Sequence, residues 1–312
     1  MSESDRFHPN VPGVAQSDRL VPINLRQSGP TPVQMLISTR VRKSPFWHMS
    51  IEAGCWRAEV YNRMYHPRGY VRPEDGGAMA EYDALVNRVT LWNVAVERQI
   101  RVRGPDAEAF MNLMYSNAWS TLKPGKCRYG LMLREDGYIY DDGVVGRLAQ
   151  DRFHVTTTTG GAPRVLNLME DYLQTEFPHL KVWLTSTTEQ WAVIAVQGPK
   201  AREIIAPFVE GVDISNEAFP HMSLAECTVC GVPARLFRVS FTGELGYEIN
   251  VPADYGLKVW EAVFERAETF GACAYGTETM HVLRAEKGFI IVGQETDGTV
   301  TPHDAGLSWA IG

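Results

Sequence analysis

Three groups of residues have types and spacings suited to chemistry. The first is Glu248, in the run Leu236-Phe237-Arg238-Val239-Ser240-Phe241-Thr242-Gly243-Glu244-Leu245-Gly246-Tyr247-Glu248-Ile249-Asn250. The stretch before Thr242 is apolar and the stretch after Gly246 alternates, so the segment reads as a hairpin with one polar-facing position. A carboxylate flanked by Tyr247 and Ile249 either faces a pocket that supplies a partner or sits at a solvated hairpin tip. The second group is Asp141-Asp142, within Tyr140-Asp141-Asp142-Gly143-Val144-Val145. Aspartate is depleted inside strands, and alternation sends neighbours to opposite faces, so one of the two can be solvated while the other turns inward. Ile139 is expected to share the face of Asp141, and Tyr140 and Val144 that of Asp142. The third group is Arg284 with Glu286, in Val282-Leu283-Arg284-Ala285-Glu286-Lys287-Gly288. A guanidinium on an otherwise apolar helix face pairs with a carboxylate or an anionic ligand; a solvated helix end before Gly288 is the other reading.

Strands over 127–135, 138–148 and 152–159, joined by short turns, form an antiparallel meander that would carry Asp141 and Asp142. The run Thr156 to Thr159 with Gly160-Gly161 leads into a helix from Pro163 to Phe177, whose free N–H groups could receive a carboxylate. Helices over 254–270 and 277–287 follow, the second carrying Arg284. Two segments echo each other, Ile100-Arg101-Val102-Arg103-Gly104-Pro105-Asp106-Ala107 and Ile194-Ala195-Val196-Gln197-Gly198-Pro199-Lys200-Ala201. Each reads as a strand, a Gly-Pro break and a helix with Pro in its first turn. They suggest two halves, 38–150 and 151–312, after a polar, Pro-containing tail over 1–37, with a ligand site between them. Strands and helices mix without regular βαβ alternation, so the fold class is α+β.

Composition narrows the function. The chain has 312 residues, 45% of them hydrophobic, and a formal net charge of −7. That balance offers no electrostatic footprint for nucleic acid or an anionic membrane. No apolar run reaches the roughly 20 residues that span a bilayer, and the N-terminus lacks a signal pattern, so the expected compartment is cytoplasmic. Five cysteines, an odd number, point to reduced thiols, and Cys227-Thr228-Val229-Cys230 reads as strand residues rather than zinc ligands. No metal site is indicated. The glycine loops of dinucleotide and nucleoside triphosphate sites and the G-x-S-x-G elbow are all missing from the sequence.

Taken in order, Cys127 to Leu133, Gly137 to Asp142, Thr242-Gly243-Glu244 to Tyr247-Glu248-Ile249, and Leu283 to Gly288 resemble the glycine-cleavage T-protein (aminomethyltransferase) superfamily. Within it, Thr156 to Gly161, Thr188 to Ala192, and Tyr275 to His281 with Thr299 to Pro302 are most similar to the T-protein-like C-terminal part of the sarcosine oxidase α subunit. Ile37 to Phe46 and Val60 to Met64 look more like dimethylsulfoniopropionate demethylase. The resemblance implies a folate-binding cloverleaf and a tetrahydrofolate pocket. Asp142 matches the catalytic aspartate, Glu248 the acid on the pterin edge, Arg284 an arginine near the folate, and Tyr129, with Tyr247, a ring of the pocket. It implies one-carbon transfer from an N-methyl or aminomethyl donor to tetrahydrofolate, forming methylene-tetrahydrofolate, with a flavoprotein as a possible partner. Demethylation of a methylated sulfonium or amine to 5-methyl-tetrahydrofolate is the alternative, and a folate-binding module without turnover a third. Thr156 to Gly161 stand where T-proteins proper carry an Asn-containing loop, so no lipoyl-carrier partner is implied. The chain stops at Trp309-Ala310-Ile311-Gly312, where relatives continue into a C-terminal β domain, and no flavin domain precedes the match.

Overall fold

Alternating apolar positions build two antiparallel sheets and a hairpin, and the helices cover the outer faces of the sheets. The structure is a computed structural model and describes residues 41–312; the tail expected over 1–37 lies outside the described residues. In chain order the elements are helix α1 (Trp47–Glu52), strands β1 (Arg57–Tyr61) and β2 (Met64–Gly69), α2 (Gly77–Asn87), β3 (Thr90–Asn93), β4 (Gln99–Arg103), α3 (Ala107–Met114), β5 (Lys126–Leu133), β6 (Ile139–Ala149) and β7 (Arg152–Thr156). Then come α4 (Ala162–Thr175), β8 (Trp183–Ser186), β9 (Trp191–Gln197), α5 (Ala201–Ile205), β10 (Val209–Glu210), β11 (Leu224–Val229), β12 (Val232–Phe237), β13 (Gly246–Pro252), α6 (Gly256–Glu268), β14 (Cys273–Ala274) and α7 (Thr277–Glu286). Among the described residues no helix is long and apolar enough to cross a membrane.

The seven-stranded sheet runs β10-β11-β12-β13-β9-β3-β14, and only β14 is parallel to its neighbour. The five-stranded sheet runs β5-β6-β7-β4-β8. One face of the larger sheet, with Tyr247, Ile249, Ile194, Val196 and Leu91, packs on Trp260 and Val263 of α6. On the smaller sheet Val102, Val145 and Val155 pack on Phe110 and Met111 of α3 and on Val165 and Met169 of α4. Each sheet thus spends one face on helices and turns part of the other inward. The expected division at 150/151 falls in the short turn between β6 and β7, which are paired neighbours in one sheet, so it separates no folding layers.

The echoed segments do form the same unit twice. Gly104 and Gly198 both have positive φ, 146° and 123°, and a Cβ there would lie 2.1 Å from the Lys181 carbonyl and 2.6 Å from the Leu85 carbonyl. Only glycine permits both the angle and the approach. The prolines sit one residue before the cap rather than in the first turn, because the helices begin at Ala107 and Ala201. Cys230 lies in the turn after β11 with φ 53°, and all five cysteines are free.

Glu81, in α2, is fully buried and holds three elements together. Its carboxylate accepts from Tyr70 N (2.7 Å) and Val71 N (2.9 Å) after β2, and from Gly276 N (2.9 Å) and Thr279 Oγ1 (2.7 Å) at the start of α7. A buried carboxylate is tolerated when every lone pair has a donor. Glu81→Gln would set an amide N–H against two of these donors. It should lower unfolding free energy by about 2–4 kcal/mol in urea titrations; a loss below about 0.5 kcal/mol would show that the four contacts are dispensable.

Candidate functional site

The inward faces meet at a cavity of about 570 Å³, lined by residues of both sheets, the β1–β2 hairpin and the segment after α7. Register decides which side chains reach it. In β5 and β6, Leu131 pairs with Asp142 and Tyr129 with Val144, so Tyr129, Asp142 and Val144 share the cavity face, while Met132 and Val145 face the helices. In the larger sheet Glu248, Ala195 and Trp92 form one cross-strand row on its inward face. The walls are rich in rings: Tyr61, Trp92, Tyr129, Phe241, Phe289 and Trp309.

Asp142 is buried at the cavity wall, and Tyr129 Oη donates to its Oδ2 at 2.6 Å. Burial raises the Asp142 carboxyl to about 7, against the opposing effect of the tyrosine bond. An acid poised there can hold or release a proton near neutrality, and when ionised it can stabilise a cationic centre. The Tyr129 ring packs on Trp309 at 5.6 Å, which aims the hydroxyl.

Glu248 lines the same cavity, and burial raises its carboxyl to about 7. Glu97, between β3 and β4, lines it too, and its Oε2 is enclosed without a hydrogen-bond partner. Its carboxyl is pushed well above the usual range, first by burial and then by the charge of Glu248. Among the described residues, none of Glu97, Asp142 and Glu248 forms an ion pair.

Asp141 faces away from the cavity and is structural. Its Oδ1 accepts from Thr158 N (3.0 Å) and Asp142 N (2.8 Å), and its Oδ2 from Thr158 Oγ1 (3.1 Å). It therefore fixes the Thr156–Thr159 segment, four successive threonines that all line the cavity. One expectation about faces is reversed: a register shift between Met132 and Leu133 sends Ile139 towards the apolar cluster of Leu131 and Ala310, and the Tyr140 ring towards Arg164 of α4. A bulge of this kind changes the phase of alternation by one residue.

Two expected ligand residues lie elsewhere. Tyr247 is fully buried on the opposite face of β13 from Glu248, stacked on Phe219 and accepting from Arg202 Nε at 2.9 Å. Strand alternation cannot give both neighbours to one pocket. Arg284 is buried in α7 but does not line the cavity. It pairs with Glu295 Oε1 (2.7 Å) and donates to the Phe289 carbonyl (3.1 Å) and Gln294 Oε1 (2.8 Å). It thus shapes the Phe289–Ile291 segment that lines the cavity. The sequence reading missed Glu97, Trp92, Tyr61 and His66, which also line it.

Comparison with known proteins adds the family. Residues 47–312 match the GCVT N-terminal domain family. The chain belongs to it. It is 45% identical over 295 residues to sarcosine oxidase subunit alpha of Corynebacterium sp. (strain P-1), covering 91% of this chain and 30% of that protein. It is 33% identical over 236 residues to an aminomethyltransferase of Corynebacterium aurimucosum, covering 75% of this chain and 62% of that enzyme. The chain therefore spans less than a third of the length of the sarcosine oxidase subunit it matches. Its fold is that of the glycine cleavage system aminomethyltransferase T from Bartonella henselae, with a TM-score of 0.75 at 24% identity over 87% of this chain and 70% of that one. The antiparallel α+β architecture read from the sequence is the architecture of that fold.

The raised carboxyls set a pH dependence. An acid whose folded value exceeds its unfolded one makes the native chain bind more protons, so its contribution to stability is present at low pH and lost as pH rises from about 4.5 to about 7 for Glu248. Glu248→Gln should melt close to wild type at pH 4.5 and about 1.5–3 °C higher at pH 8, for a relief of about 1–2 kcal/mol. Thermal melts across that range are the check; a difference that does not change with pH would mean that burial does not destabilise the Glu248 carboxylate.

Proposed function

We propose that the protein is an enzyme that binds tetrahydrofolate in this cavity and transfers to it a one-carbon unit from an N-methyl or aminomethyl donor, sarcosine-like in class, yielding methylene-tetrahydrofolate. The reading is carried by one observation, the Tyr129–Asp142 pair and the unpartnered Glu248 facing the same ring-lined cavity. The donor set suits the ligand. A reduced pterin edge offers adjacent N–H groups that an orphaned carboxylate would accept, and aromatic walls suit a flat heterocycle. When bound, tetrahydrofolate supplies the nitrogens that receive the carbon unit.

The chain's own residues have distinct tasks. Glu248 holds and orients the pterin edge. Asp142, its ionisation controlled by burial and by the Tyr129 hydroxyl, stabilises positive charge on the donor side and can take up a proton. Asp141 and Arg284 position cavity-lining segments and touch no reacting group. Moving carbon from a methyl to a methylene level removes two electrons, so an N-methyl donor needs an oxidant, and a flavoprotein partner fits that need. An aminomethyl donor is already at that level. Names of relatives such as sarcosine oxidase subunit alpha favour the first case. A methylated sulfonium donor needs no oxidant and would give 5-methyl-tetrahydrofolate; mass spectrometry of the folate product in a donor screen separates the routes.

Binding and turnover should come apart by residue. Glu248→Gln removes one acceptor from the pterin edge and should weaken tetrahydrofolate binding roughly 10- to 150-fold, about 1.5–3 kcal/mol, in equilibrium titrations. Asp142→Asn should leave that affinity within a few-fold and lower kcat by about 10²- to 10³-fold. Loss of folate binding in Asp142→Asn would make Asp142 a ligand anchor and remove its proposed role in the chemical step. Wild-type protein that binds folate but turns over no donor with any oxidant would reduce the reading to a binding module.

A further inference from the structure

Glu97 belongs to none of the motifs that led to the site, yet it is the cavity's second carboxylate near Glu248. The contact that brings them together is a buried hydrogen bond between the two sheets, from Gln99 Nε2 of β4 to Asn250 Oδ1 of β13, at 2.8 Å. Glu97 stands two residues before Gln99, and Glu248 two residues before Asn250. Both line the cavity, the charge of Glu248 acts on Glu97, and Glu97 Oε2 is enclosed with no donor. Two neighbouring, partly buried carboxyls lining one cavity without a paired cation disfavour joint ionisation, so the pair retains a proton as a unit. A pair with one proton offers two acceptor oxygens on the ionised member and an O–H donor on the other.

A 2-amino-4-oxo pyrimidine ring has the reciprocal pattern, two adjacent N–H donors flanked by acceptors, the 4-oxo oxygen on one side and a ring nitrogen on the other. We propose that Glu97 is a ligand-recognising residue: with Glu248 it forms an acid–carboxylate pair that reads the pterin edge, Glu248 accepting from the two N–H donors and Glu97 donating its O–H to a flanking ring acceptor. The inference rests on the folate reading above. It extends that reading by making recognition depend on one shared proton. The other ionisable groups around this cavity are Tyr61 and His66 of the hairpin, Arg98 beside Glu97, Cys127, Arg128, Tyr129 and Asp142 of the smaller sheet, and His221; among the described residues neither arginine forms an ion pair with Glu97 or Glu248. Burial holds His66 down at about 3, so it stays neutral in the working range. Asp142 titrates in wild type and variants alike, so comparing Glu97 variants isolates the pair.

The test is equilibrium binding of tetrahydrofolate and of 6-methyltetrahydropterin, which keeps the edge and lacks the tail, from pH 5.5 to 9. Wild-type affinity should fall on the alkaline side as the shared proton is lost. Glu97→Gln, whose amide donates but cannot ionise, should bind within about 3-fold of wild type at pH 6 and lose the alkaline fall attributable to the pair. Glu97→Leu, with no donor, should bind both probes at least about 10-fold more weakly at pH 6. Thermal melts at each pH keep folding apart from binding. Wild-type affinity and an unchanged pH profile in both variants would overturn the proposal, as would a rise in donor KM with pterin affinity intact, which would place Glu97 on the donor's cation. Failure of wild type to bind either probe at any pH would instead overturn the folate reading, and this proposal with it.

Discussion

The constraint on which the site depends is the cost of facing three acids, Glu97, Asp142 and Glu248, into one ring-lined cavity with no ion pair to any of them among the described residues. A carboxylate removed from water without donors is several kcal/mol less stable than a solvated one, and it responds by holding its proton. The fold therefore carries near neutral pH two carboxyls, Asp142 and Glu248, balanced between protonation states, and a third, Glu97, pushed towards its protonated form. Buried charges that serve only architecture are treated differently. Glu81 accepts from four donors. Arg147 is satisfied by the carbonyls of Leu122 (2.8 Å) and Gln150 (2.8 Å) and by Glu108 (2.5 Å). At the cavity, by contrast, Glu97 Oε2, Trp92 Nε1 and His66 Nε2 are buried without a partner, which leaves them free to meet a ligand.

The second requirement is that the two sheets keep a set relation, because Asp142 belongs to one and Glu248 to the other. The seam between them is bonded rather than merely packed. Gln99 bridges to Asn250, Cys127 N donates to the Met222 carbonyl at 2.7 Å, and Leu224 N donates to the Gly125 carbonyl at 3.0 Å. His154 of the smaller sheet lies against Phe237 of the larger at 5.0 Å, neutral because burial lowers it to about 3. The division of tasks proposed for Asp142 and Glu248, on separate sheets, requires that such contacts hold their spacing.

Much of this was legible along the chain. Period-two alternation predicted that Asp141 and Asp142 face opposite ways and that Glu248 sits on a paired strand, and the meander and the Gly-Pro units lie where the pattern puts them. The same alternation already argued against Tyr247 as a neighbour of Glu248 in one pocket, and the structure buries it on the far face. Arg284 was ambiguous for a physical reason. A guanidinium that binds an anionic ligand and one that pairs with a carboxylate ten or so residues along look alike until the chain after Gly288 is folded back, and here it folds back onto Glu295.

The residue sequence by itself determined the elements, the faces of the strands away from irregularities, and the family, because these rest on local periodicity and on ordered motifs. Tertiary structure decided the rest. A one-residue bulge at Met132–Leu133 exchanged the faces of Ile139 and Tyr140, which depends on how β5 and β6 pair and leaves no mark in either strand alone. Glu97 had no motif to announce it. Its proximity to Glu248 exists only because a hydrogen bond between residues 151 positions apart joins two sheets, and electrostatic coupling depends on distance in space, which local pattern does not encode.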